Sequence, residues 1–292
     1  MTNIVVLIKQ VPDTWSERKL SDGDFTLDRE AADAVLDEIN ERAVEEALLI
    51  KEKQGDGTVT VLTAGPERAS EAIRKALSMG ADKAVHIKDD GLHGSDIIQT
   101  GWALARALGA IEGTELVIAG NESTDGVGGA VPAIIAEYLG LPQLTHIRKL
   151  TVDGDKVTAE RETDEGVFTL EATLPAIVSV NEKINEPRFP SFKGIMAAKK
   201  KEVTELTLAD IGVEATRSVS PTPVPPCCRR PRSRPRPPVR RSPTRATAAP
   251  RSPSTWSRRS SSKTTGNEGR ETHGRSTCAR RARRWCPQEG HQ

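Results

Sequence analysis

Cysteine is scarce in this chain: of 292 residues four are cysteine, and all four (Cys227, Cys228, Cys278 and Cys286) stand in its last quarter. Residues 1–216 can therefore build neither a disulfide framework nor a thiolate-ligated metal site. Long apolar runs are missing too; none approaches the roughly 18 residues that a membrane helix needs. Met1 leads straight into a strand-like segment, with no charged leader or cleavage site between. No membrane insertion is expected, and the body reads as cytoplasmic. His86, His93 and His146 are scattered, with no carboxylate or cysteine at metal spacing. Neither a P-loop nor a G-x-G-x-x-G run is present, and no nucleophile–base pairing suggestive of hydrolysis stands out.

What is present divides in two. Residues 1–216 hold 23 Lys+Arg against 38 Asp+Glu, whereas residues 217–292 hold 19 against 3, with 12 of the 19 prolines, so the net charge of +1 is a cancellation. The first part is long enough to bury a core. The second has too few apolar residues to offset its ordering entropy and reads as a disordered basic tail rich in Arg, Pro and Ser. Lys199-Lys200-Lys201 is short enough to be a solvated face, so no nucleic-acid partner is expected of the body.

Apolar, β-branched runs at Asn3–Lys9, Thr58–Thr63, Ala84–Ile87 and Leu116–Ala119 predict four buried strands. Between them lie helical patterns. Ile39, Ala43, Ala47 and Ile50 share one face; Ala69, Ala72, Ile73, Ala76 and Leu77 share another, with Gly80 at the C-terminal stop. A third helix is expected after Ser95, with Ile97, Gly101, Leu104, Ala105 and Leu108 inward, and a fourth from Ala130 to Leu139. Alternating strands and helices predict an α/β fold: a doubly wound, mostly parallel sheet. From Leu144 the pattern changes to strands at Leu144–Val152, Lys156–Glu162, Val167–Thr173 and Ala176–Val180, read together as an antiparallel extension. Asn181 to Lys201 shows neither period and reads as an irregular functional segment.

The strand at Leu116–Ala119 runs into Gly120, Asn121, Glu122, Ser123, Thr124, Asp125, Gly126, Val127, Gly128, Gly129 and Ala130 before the fourth helix. Glycines let backbone N–H groups approach an anion, and the helix N-terminus favours negative charge. From composition alone the loop reads equally as a phosphate site and as a flexible connection. Trp15 and Trp102 read equally as packing residues and as ligand contacts.

Several spaced segments together resemble one family: Val5–Asp13 (VVLIKQVPD), Ala43–Ala47 (AVEEA), Ala76–Asp82 (ALSMGAD), Glu160–Asp164 with Leu174–Ala176, Asn185–Phe189 (NEPRF) and Ile195–Lys201 (IMAAKKK). Residues 1 to about 216 are similar to the electron transfer flavoprotein beta subunit, in its actinobacterial form. The resemblance implies an adenine nucleotide alpha hydrolase-like domain that pairs with an alpha subunit holding most of the FAD, and that itself binds AMP. The matching positions are Leu7, Asp37, Glu38, Ile39, Asn40, Ala64, and Gly120 to Val131. Thr14 matches a position near the flavin. Asn181–Lys201 corresponds to a recognition loop that docks dehydrogenases, with Phe192 as its apolar anchor, and Glu162 matches an acidic residue that pairs with an arginine of the dehydrogenase. The implied function is non-catalytic. Electrons pass from acyl-CoA and related dehydrogenases to the alpha-subunit FAD and on to a quinone oxidoreductase, as in fatty acid oxidation.

Three departures are visible. Ala130 stands where electron-bifurcating relatives, which hold a second FAD, have glutamine, so AMP is expected rather than a second flavin. Phe168 stands where Glu or Gln is common. The family's C-terminal arm is replaced by residues 217–292, which resemble translation in a shifted frame of GC-rich DNA; a genuine basic tail able to bind nucleic acid is the alternative. The competing function is a stand-alone adenine-nucleotide sensor on a similar sheet.

Overall fold

The computed structural model describes residues 2–22 and 26–213. The expected disordered tail, its cysteines and its shifted frame lie outside the described residues. The chain runs through β1 (Ile4–Leu7), a small pair β2 (Gln10–Pro12) and β3 (Ala34–Leu36), α1 (Glu38–Gln54), β4 (Val59–Ala64), α2 (Ser70–Met79), β5 (Lys83–Ile87), α3 (Ile97–Ala110), β6 (Leu116–Gly120) and α4 (Val131–Leu139). It continues through β7 (Gln143–Asp153), β8 (Lys156–Thr163), β9 (Gly166–Thr173), β10 (Ala176–Val180), α5 (Phe192–Ala198) and β11 (Val203–Leu206).

Nine strands form one sheet in the order β11-β5-β4-β1-β6-β10-β7-β8-β9. Strand alternation decides what each face buries. Ile4 and Val6 of β1 join Val59, Val61 and Ile118 under α1 and α2. Val5 and Leu7 join Leu62, Val117 and Ile177 under α3 and α4 on the opposite face. The connections through α1 and α2 step outward from β1 to β4 and β5; the connection through α3 then crosses back to β6 on the other side of β1. That reversal opens a crevice at the carboxyl ends of β1 and β6, where open α/β sheets bind ligands.

The expected antiparallel extension is present in the pairings of β7 with β8 and of β8 with β9, but its extent needs correction. β7 and β10 run parallel to the central strands, with β10 inserted between β6 and β7, and only β8 and β9 add antiparallel pairings. The reason is burial: all five residues of β10, Ala-Ile-Val-Ser-Val, are buried, the pattern of a strand covered on both faces. In α3, which begins after Ser95 as expected and is capped by Asp96, Ile97 is 46% exposed instead of inward. The segment 181–201 is not wholly irregular, since α5 occupies seven residues of it. Lys201 is not a solvated lysine: its ammonium donates to the carbonyls of Leu77 (3.0 Å) and Ala81 (2.6 Å) at the end of α2, while Lys199 and Lys200 are exposed as expected. Among the described residues no helix is long and apolar enough to cross a membrane.

Candidate functional site

At the crevice lies a cavity of about 270 Å³. Leu7, Ala64 and Gly120 bring the ends of β1, β4 and β6 to it, Asn40 comes from α1, and Asp96 and Thr100 come from the first turn of α3. The wall is built by buried polar struts. Asp37, fully buried, caps α1 by accepting from Ile39 N–H (3.0 Å) and also accepts from the backbone N–H (2.7 Å) and hydroxyl (2.9 Å) of Thr124, tying the glycine-rich loop to the helix start. Asn40 accepts from Lys9 N–H at 2.7 Å. A Cβ on Gly120 would lie 2.6 Å from Asn40 Nδ2 and 3.0 Å from Ile39 Cγ2, so only glycine lets β6 and α1 meet here.

Behind the loop Asp125 carries a carboxylate whose side chain is 1% exposed. One oxygen accepts from Lys9 Nζ and the other from Arg29 Nη2, each at 2.7 Å. Burial alone would push this carboxyl up; the Lys9 ammonium, a hydrogen bond from Ser123 and the Arg29 guanidinium outweigh it and hold the group well below the usual carboxylate range.

The front of the loop is open. α1, α3 and α5 start with side-chain caps from Asp37, Asp96 and Ser191, whereas α4 starts at Ala130 with none. The N–H groups of Gly126, Gly128 and Gly129 likewise find no acceptor among the described residues. Asn121 faces the same cavity, and its buried Oδ1 has no partner. A row of orphan donors at a helix N-terminus, with an unpaired amide oxygen beside it, is chemically a site for an anionic, hydrogen-bonding ligand. A second recess of about 520 Å³, at the opposite end of the sheet, is lined by Asp56, Glu115 and Asp155, whose carboxylates disfavour an anion.

The segment after β10 is fastened at both ends, to α1 and to the end of α2. Arg188 forms ion pairs with Glu45 (2.8 Å) and Glu52 (2.6 Å), and Asn185 donates to Glu46 at 2.9 Å and to the Arg42 carbonyl at 3.1 Å, while the Arg42 guanidinium donates to the Asn185 carbonyl. Lys201 closes the other end. Between them Phe189 is 96% and Phe192 81% exposed. Glu162 on β8 is exposed and accepts from Lys183 (3.3 Å) and Arg148 (3.2 Å), which hold its carboxyl below the ordinary value.

The sequence matches the family described as "Electron transfer flavoprotein domain" over residues 24–211. The chain belongs to the electron transfer flavoprotein family. It is of the beta-subunit type. It is 87% identical over 219 residues to the electron transfer flavoprotein subunit beta of Mycobacterium tuberculosis, covering 74% of this chain and 82% of that protein. The subunit beta of Mycobacterium leprae is 87% identical over 218 residues (73% and 82%), and that of Megasphaera elsdenii 37% over 230 residues (76% and 85%). The actinobacterial character read from the sequence agrees with the two mycobacterial matches.

For an electron transfer flavoprotein subunit the residues carried over by resemblance divide cleanly. Leu7, Asn40, Ala64, Gly120, Asn121, Glu122, Ser123, Gly126, Gly128, Gly129 and Val131 line the cavity. Asp37, Thr124 and Asp125 stand behind it as struts; Glu38, Ile39, Val127 and Ala130 do not line it. Lys9, Asp96, Thr100 and Leu104 line it and were missed. The Ser95-Asp96 pair ahead of an apolar helix was the available signal, since it marks a helix start facing the same strand ends. Trp15 is 94% exposed and does not pack, while Trp102 packs edge-on against Tyr138 with ring centres 4.9 Å apart.

Proposed function

We propose that this chain is the AMP-holding, dehydrogenase-docking subunit of a heterodimeric electron carrier. Electrons would pass from the flavin of acyl-CoA and related dehydrogenases to the FAD of an alpha subunit, and on to a quinone oxidoreductase. The observation that carries the nucleotide reading is the uncapped start of α4: free N–H groups of Gly126, Gly128 and Gly129 beside a helix N-terminus suit a phosphate. Asn121 Oδ1 adds an acceptor suited to a hydroxyl or amino group. The size of the cavity supports the same reading, because about 270 Å³ lies just below the roughly 300–1,000 Å³ range of small-molecule sites and suits a mononucleotide better than a flavin dinucleotide.

The alpha-subunit flavin supplies the redox chemistry when bound. The residues of this chain would position it. The loop from Asn181 to Lys201 would present Phe192 to a dehydrogenase pocket, and Glu162 would meet an arginine there. The two paired cations at Glu162 would have to yield it, which favours an orienting role over added affinity. In this reading the chain makes and breaks no bonds.

The test is nucleotide content. Heterodimer purified after co-expression with an alpha subunit is expected to release about one AMP on denaturation, and Gly128→Val to lose it. A Cβ at Gly128 meets nothing closer than 3.8 Å, so the fold itself tolerates the substitution's first atom and the loss would report the ligand's approach. Two FAD and no AMP, or unchanged AMP in the variant, would refute the assignment.

A further inference from the structure

The excursion between β2 and β3 contributes no described residue to either core. None of residues 13–22 and 26–33 is buried, and Trp15 and Leu20 are 94% and 61% exposed. Segments that join neither core lie at the low-stability end of a fold. What holds it is polar. Arg68, in the turn after β4, donates to the carbonyls of Arg29 (3.0 Å) and Ala32 (3.2 Å). Arg29 in turn donates to Asp125 of the glycine-rich loop at 2.7 Å, and the other oxygen of that carboxylate takes Lys9, part of the cavity wall, at the same distance. One buried carboxylate thus joins the end of β1, the glycine-rich loop and the excursion. Both of its cations matter, because a buried charge that loses a partner is left uncompensated.

We propose that Arg29 is a positioning residue that couples the nucleotide cavity to the β2–β3 excursion, so that a phosphate in the cavity also fixes the excursion and the exposed Trp15 it carries. The coupling rests on the cavity being a nucleotide site, since a phosphate held by Gly126 to Gly129 would immobilise Asp125 between them and Thr124. Arg29 itself lines no part of the cavity. Its effect on a ligand would have to travel through Asp125. Coupling of this kind is reciprocal: if the ligand steadies the excursion, releasing the excursion weakens the ligand by the same factor.

The experiment is amide hydrogen exchange of the full chain, with and without AMP, alongside calorimetric titration of AMP, for wild type, Arg29→Ala and Arg29→Lys. AMP is expected to slow exchange both in residues 120–131 and in residues 13–22. Arg29→Ala is expected to keep the first protection, lose the second and bind AMP about tenfold more weakly, within the usual range for coupled sites; Arg29→Lys recovers part of both. A purely structural arginine would lower thermal stability without removing the AMP-dependent difference in residues 13–22. Wild-type protection of residues 120–131 with none in 13–22 overturns the coupling and leaves the nucleotide site standing. Equal protection of residues 13–22 in Arg29→Ala removes Arg29 from the coupling, and no effect of AMP anywhere in wild type overturns both readings.

Discussion

Glu46 and Asp125 are both buried carboxylates, and their surroundings drive them in opposite directions. Around Asp125 two cations outweigh the cost of burial. Its contribution to stability is present above the ordinary carboxylate pKa and is lost only as pH falls through its depressed value. Glu46, 7% exposed on α1, is pushed up first by burial and further by the neighbouring Glu45, with the hydrogen bond from Asn185 opposing them. The folded protein therefore binds this proton more tightly than the unfolded chain, and stability falls as pH rises through the raised value. Glu46→Gln is expected to raise the melting temperature at pH 8, by about 1 kcal/mol of stability, with the gain shrinking toward pH 4 as the wild-type carboxyl becomes neutral. The amide can still accept from Asn185 and brings a donor to its neighbourhood, where Asn185 Oδ1 is buried without a partner. A glutamine variant less stable than wild type at pH 8 would show that the charge is needed there.

At the scale of elements, the legible parts were those governed by one local rule. β1, β4, β5, β6 and the stop of α2 could be read because apolar runs and a Gly80 stop act within a few residues. β10 was misplaced because its direction depends on pairing with β6 and β7, which are distant in sequence, although its unbroken apolar run carried a hint of double-sided burial. Lys201 could not be recognised as a cap, since its acceptors belong to a helix more than a hundred residues earlier. α5 was hidden by its exposed apolar face: Phe192, Ile195 and Met196 are all substantially exposed, so no inward stripe existed to find. That face leads to a prediction with two arms. Phe192→Ala removes an exposed ring, so the melting temperature should stay constant while the KM for the carrier in a dehydrogenase assay rises, consistent with about 2 kcal/mol for a buried anchor. Gly194→Ala places a Cβ 2.4 Å from the Ser78 carbonyl oxygen at the end of α2, so α5 must shift and both stability and KM should suffer. An unchanged KM for Phe192→Ala would move the docking face elsewhere.

For the whole molecule the decisive fact is where the family match ends and the composition changes. Among the described residues, which end at 213, the two cores run from Ile4 to Ile211, and the family match covers residues 24–211. The composition changes just beyond: from residue 217 basic residues outnumber acidic ones 19 to 3. Cavity, struts and exposed loop all precede that boundary, so the chain without residues 217–292 is expected to melt cooperatively at the wild-type temperature and, with an alpha subunit, to keep its AMP. Assembly should respond differently. If residues 217–292 come from a shifted frame, restoring the frame supplies a segment that buries additional interface, and the affinity for the alpha subunit should rise markedly over that of the present chain. Deleting residues 217–292 should meanwhile leave that affinity where it is, because a basic segment outside the matched family region has no reason to contribute. A deletion that weakens assembly, or lowers the melting temperature by several degrees, would instead make this region a working part of the protein and refute the shifted-frame reading.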